Sequence, residues 1–198
     1  MLSLFSKSKI PVEHQLDELG AIGLRLTEGV GVDDLFLYDS RGNMEKKPYS
    51  ALITALGYCT EDGEDTPFCR SLWMCDYEGI EGYGDYVVLI RHLQVLSEER
   101  PALSNIQDYV EIGDNKAWIE FDLNGSRIHW DLEVDNDWLD PFLFVKYDQL
   151  LAEHTDLRIY SNHTDFGQSA LLGCFTSNQF DKFNRLSKVK FMQIADQV

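Results

Sequence analysis

The chain has 198 residues, 44% of them hydrophobic and 12% aromatic, and carries a formal net charge of −17. A chain of this size buries about 70% of its unfolded surface, so one globular domain over 1–198 needs no disulfide or metal to hold it together. The charge opposes nucleic acid and anionic membrane as partners, and no run approaches the roughly 20 apolar residues of a membrane-spanning helix.

The first nine residues, Met1 to Lys9, have neither a charged leader region nor an apolar run of useful length, so no signal peptide is expected and the location expected is cytoplasmic. From there the spacing of Val12, Leu16, Leu19, Ile22 and Leu26 predicts a helix over 12–26, weakened by Gly20 and Gly23. Leu35 to Tyr38 is a short apolar run, followed by a turn over 39–43. Pro48 suits the first turn of a helix that reaches about Tyr58. Residues 61–67 form an acidic loop, and Ser71 to Tyr77 reads as a strand. Asp85 is placed to cap a helix to about Glu99, with Tyr86, Leu89, Ile90, Leu93 and Leu96 on one stripe.

Residues 106–112 alternate and read as a strand beside the next segment, 116–134, which has the pattern of a β-hairpin. Asn124-Gly125 suits a two-residue type I′ turn, whose central residues both need positive φ. That turn pairs Leu123 with Ser126. It puts Ala117, Ile119, Phe121, Ile128, Trp130 and Leu132 on one face. The other face receives Trp118 opposite Asp131, Glu120 opposite His129 and Asp122 opposite Arg127. A slip of one residue would mix the two faces, so turn and pattern support one register.

Asp140-Pro141 is a helix start, the helix running to about Glu153. Strands follow at 157–160 and 169–175. Thr176-Ser177-Asn178-Gln179 is a capping box that opens a helix with Phe180, Phe183 and Leu186 facing inward, and 189–194 reads as a last strand. Helices interspersed with strands around an antiparallel three-stranded meander, at about 106–134, place the chain in the α+β class.

The charge is segregated. Residues 60–85 hold eight acids and one base, residues 108–140 hold ten acids and two bases, and the tail from 177 has two acids and four bases. Such a surface speeds encounter with a basic partner. Trp118 and Trp138 stand among these acids, and exposed tryptophan is a common anchor of protein interfaces. The candidate partner-binding residues are therefore Trp118, Glu120, Asp122, Asp131, Glu133, Asp135, Asp137 and Trp138.

Chemistry has less support. Asp131, Glu133, Asp135 and Asp137 alternate and can favour a hard cation, but they lack the glycine and the later glutamate of a calcium loop. No zinc-protease, nucleophile-elbow or phosphate-loop motif occurs. Gly79 to Gly84 is glycine-rich but acidic, a poor phosphate cradle. The four cysteines form no C-x-x-C pair and read as reduced, buried thiols. Cys174 with His163 is the nearest approach to a catalytic thiol pair, yet Cys174 lies within a core strand. No metal or cofactor is expected.

The meander, the Asp137-Trp138-Leu139-Asp140 helix start, and the Gly167-to-Gly173 strand with its helix and last strand together resemble the small acidic immunity proteins of bacterial polymorphic toxin systems. The resemblance spans about residues 106–194. It implies a non-enzymatic cytoplasmic inhibitor that masks a basic toxin domain. The alternatives are a metal-assisted hydrolase using the carboxylates around 131–137 and a housekeeping protein-binding adaptor.

Overall fold

Eight strands form two separate antiparallel sheets in the computed structural model, which describes residues 9–61, 65–162, 167–187 and 189–196. The first sheet has the order β1-β7-β6-β8, from β1 (Leu72–Asp76), β7 (Ser169–Thr176), β6 (Leu157–Asn162) and β8 (Met192–Gln193). The second is the meander, in the order β2-β3-β4-β5: β2 (Ser104–Glu111), β3 (Lys116–Leu123), β4 (Ser126–Asp135) and β5 (Trp138–Leu139). The α+β class and the three-stranded meander are thus as expected, with β5 added as a short fourth strand.

The strand β7 explains why its sequence does not alternate. Ala170, Leu172 and Cys174 point into one core, Leu171 and Phe175 into another. A strand covered on both faces reads as a continuous apolar run. Gly173 is required there, because a Cβ would lie 2.5 Å from the Phe175 ring. The first core combines the inner faces of both sheets with α4 (Asp85–Leu96) and α5 (Phe142–His154). The second packs α1 (Val12–Gly20), α2 (Arg41–Lys46), α3 (Ser50–Ala55) and α6 (Ser177–Leu186) against the far side of the first sheet. A small third cluster seats Phe121 and Leu123, near the hairpin tip, on Leu150 of α5.

Several elements differ from the sequence expectation. Helix α1 stops at Gly20, and Gly23 takes φ 103°, which ends the periodic pattern before Leu26. The short apolar run at 35–38 falls largely in a 3-10 helix, Val32–Leu37, at whose start the Asp34 carboxylate accepts the Gly31 N–H at 2.7 Å. The expected turn at 39–43 becomes α2, because the Ser40 hydroxyl accepts the Asn43 N–H and caps it. Helix α3 covers only part of 48–58, and the last strand shrinks to two residues. The capping box of α6 forms as expected: Gln179 N–H donates to Thr176 Oγ1 at 3.3 Å, and Thr176 N–H donates back to Gln179 Oε1 at 2.9 Å. Among the described residues, no helix is long and apolar enough to cross a membrane.

Candidate functional site

The outer face of the meander carries the predicted site, and its register is the one the turn demands. Asn124 and Gly125 take φ 52° and 82°, and Leu123 pairs with Ser126 through to Lys116 with Glu133. Two hydrogen-bonded devices hold the sheet in place. The Asp108 carboxylate of β2 accepts the N–H groups of Gly84 at 2.9 Å and Val87 at 3.2 Å, so it caps α4 from a different strand. Asp85, the expected cap, instead accepts the N–H groups of Glu81 and Gly82, in the loop before the helix. The Tyr86 hydroxyl of α4, fully buried, donates to the Glu133 carbonyl at 2.8 Å and accepts the Asp140 N–H at 2.9 Å. It thereby fills the gap where β5 ends and the chain turns into α5. Burial pushes its phenol up to about 12, so it remains a donor. Asp140 holds the same junction, accepting Phe142 N–H at the start of α5 and Glu133 N–H on β4.

The face divides into two halves. In the half near the turn, the charges are satisfied internally. Arg127 lies 2.9 Å from Glu120 and 3.1 Å from Asp122 and also donates to the Asn105 carbonyl. Asn105 donates to Asp122, and with Arg127 it holds that carboxyl below its ordinary range. His129 places Nδ1 at 2.8 Å from Glu120 and Nε2 at 3.1 Å from Asp131. Only the imidazolium can donate through both nitrogens. The Glu120 and Asp131 hydrogen bonds accordingly raise the histidine, and the histidine and Arg127 lower Glu120.

In the other half the acids are not compensated. The side-chain carboxylates of Glu133 and Asp135 make no hydrogen bond or ion pair to any described residue, and that of Asp131 meets only His129, with its side chain 93% exposed. The nearest base on β3, Lys116, pairs with Asp114 in the connection between strands. These three carboxylates line a groove of about 970 Å³ together with Trp118, Tyr109 and the first turn of α5, where Phe142 is half exposed and Lys146 stands opposite. Trp118 lies directly across from Asp131, and Trp138 directly across from Asp135. Each acid therefore shares its side of the sheet with an indole on a neighbouring strand. Trp138 is 40% exposed and stands outside the groove lining, on the β5 side of β4.

Asp137 does not join this row. The strand ends at Asp135, Asn136 takes φ 59°, and the chain reverses before Trp138. The Asp137 carbonyl is occupied by the N–H groups of Gly79 and Ile80, and its carboxylate accepts from Asn136. The structure thus gathers Trp118, Asp131, Glu133 and Asp135 at the groove, leaves Glu120 and Asp122 in the neutralised half, sets Trp138 at the border, and removes Asp137.

Tyr109, Tyr83 and Phe142 are additions. Tyr109 stacks on Trp118 with ring centroids 5.9 Å apart, and Tyr83 meets Tyr109 edge-on at 5.6 Å. Extending the hairpin register to β2 would have placed Tyr109 beside Trp118, since the two are direct partners. No such signal marked Phe142.

Among the described residues, no group of three or more His, Cys, Asp or Glu side chains stands where it could hold a metal ion. Cys69, Cys75 and Cys174 are buried, Cys59 is partly so, and all four are free thiols. Burial raises Cys69 to about 11 and pushes Cys75 and Cys174 up as well, which disfavours the nucleophilic thiolate. His163, the partner considered for Cys174, lies outside the described residues. No protein-family model, curated protein or solved structure matches the chain.

Proposed function

We propose that the protein is a non-enzymatic binding protein whose groove half of the meander docks a basic partner. The observation that carries this reading is the division of the face. Glu120 and Asp122 are neutralised by Arg127 and His129, while the Glu133 and Asp135 carboxylates make no ion pair among the described residues and Asp131 pairs only with His129, beside Trp118 and the half-exposed Phe142. Unpaired carboxylates beside Trp118 and Phe142 combine steering charge with apolar area, the two components of a rapidly formed, specific interface. The resemblance to immunity proteins supplies the partner's class: a cognate toxin domain, masked in the cytoplasm.

The test is association kinetics. The partner is captured with the wild-type chain as bait and compared with capture by the Asp131→Lys, Glu133→Lys double variant. Stopped-flow mixing over a salt series then follows both proteins. Steering predicts a slower rate and a flatter salt dependence for the reversed variant, because the attraction is screened over about 8 Å at physiological ionic strength. Equal rates at low salt would remove the groove half from the interface and direct attention to the acidic 60–85 window.

A further inference from the structure

We infer that β4 pairs with β4 of a second copy of this chain, edge to edge across a two-fold axis at His129, so that two meanders join into one sheet. This goes beyond the docking reading above and does not rest on it.

The strand β4 is much longer than its neighbour on the outer side. β5 covers only Val134 and Asp135, which leaves Ser126 to Leu132 as an open edge among the described residues. The hairpin register decides which groups that edge offers. Leu123 and Ser126 flank a two-residue turn and exchange hydrogen bonds, so Ile128, Trp130 and Leu132 also point their backbone groups at β3. Arg127, His129 and Asp131 point theirs outward, and these backbone groups meet no described residue. Glu133 continues the outward phase, but its N–H goes to Asp140 and its carbonyl accepts the Tyr86 hydroxyl. The open stretch carries no proline, a common guard of strand edges.

The edge is complementary to itself. In an antiparallel copy centred on His129, Arg127 opposes Asp131 of the second copy, and every outward N–H and C=O of the three residues finds a partner. Moving the centre by one residue opposes Asp131 to Gly125 in the turn, or Arg127 to Glu133, whose backbone groups are taken. The side chains agree on both faces. On the outer face opposite charges meet at both ends, and the second oxygen of Asp131 has no partner among the described residues. The two histidines meet at the axis, each with its charge balanced by Glu120 and Asp131. On the inner face Ile128 stands beside Trp130 of the second copy, at a non-hydrogen-bonded pair where side chains approach most closely. Both are only partly buried in the single chain, at the border of the Phe121 cluster. Gly125 of each hairpin tip falls beside Glu133 of the other copy, in the groove that opens where β5 leaves β4. Each contact is thus made twice, as a two-fold interface requires.

Sedimentation of the full chain over a concentration series tests the pairing, at physiological ionic strength so that the net charge of −17 is screened. The mass should rise from 22.8 kDa toward twice that value. Arg127→Glu and Asp131→Lys each set like charges at both ends and should each weaken association about ten-fold. An equimolar mixture of the two variants restores opposite charges at both ends and should associate as tightly as wild type. Circular dichroism checks the fold of both. A wild-type chain that stays at 22.8 kDa up to millimolar concentration would overturn the pairing, and a mixture no tighter than its components would overturn the register. Cross-linking reads the register separately. His129→Cys should oxidise to a linked dimer, because opposed residues of a hydrogen-bonded pair have Cα atoms about 5.5 Å apart. Arg127→Cys should not, since its counterpart lies about 14 Å further along the strand. Equal linking of the two variants would overturn the axis at His129.

Discussion

Asp108 and Val87 lie on different elements, yet the carboxylate of the first accepts the backbone N–H of the second and caps α4. The cap therefore fastens the outer strand of the meander to the helix beneath it. Replacing Asp108 with Ala should lower stability by about 0.5–2 kcal/mol, the usual cost of losing a helix N-cap. Asp85→Ala should cost less, since its acceptors lie in the loop. Urea midpoints of the two variants decide between them: a larger loss at Asp85 would contradict the assignment.

Asn124 and Gly125 both sit at positive φ, where β-branched side chains are strained. The Val-Val double substitution should cost about 1–3 kcal/mol. A denaturation midpoint equal to that of the wild type would show that the turn tolerates another geometry.

His129 lies between two carboxylates, and its folded-state pKa is raised by the hydrogen bonds to Glu120 and Asp131. A raised folded-state value means that the unfolded chain binds fewer protons over the titration window. The stabilisation is complete below the unfolded histidine value of about 6.5 and is lost as pH rises through the higher folded value. Wild type should thus exceed His129→Gln in urea midpoint near pH 5.5, and the difference should shrink by about pH 8.5. A difference that grows with pH would reverse the assignment, and an NMR titration of the ring protons reads the shift directly.

Three of the four thiols are buried and shifted upward, while Cys59 is partly exposed. A thiol-reactive chromophore should consume at most one equivalent quickly in the native protein and four after denaturation. Intact mass without reductant should match four free thiols. A loss of two hydrogens would reveal a disulfide.

The hairpin was legible because three independent signals agreed: the Asn124-Gly125 turn, the apolar alternation, and the charge pairs Asp122–Arg127 and Glu120–His129. Each is local, and a wrong register would have broken all three. The end of α1 was less legible. Its apolar spacing continued to Leu26, but the positive φ of Gly23 ends the helix geometry. Val32–Leu37 was illegible for a different reason: the apolar run from Leu35 to Tyr38 is too short for its periodicity to choose between helix and strand, and Asp34 closing on Gly31 starts a 3-10 helix. Within the site, β4 alternation placed Asp131, Glu133 and Asp135 correctly, and the same alternation carried too far included Asp137. The Asn136 turn that excludes it was visible as an Asp-Asn-Asp cluster. The internal neutralisation of Glu120 and Asp122 was only half visible. Arg127 opposite Asp122 followed from the register, but its reach to Glu120 depends on rotamers. Tyr86 bridging Glu133 and Asp140 joins residues 47 and 54 positions away, and no local pattern announces it.

Because β7 faces both large cores, neither core can melt and leave the other intact. Opening the helices α1, α2, α3 and α6 strips Leu171 and Phe175. Opening the meander side strips Ala170, Leu172 and Cys174 from the same strand. The amides of β7 should be the last to exchange with deuterium, at rates set by global unfolding. A destabilising substitution among the N-terminal helices is then felt at the meander, far along the chain, as an equal loss of protection against global unfolding.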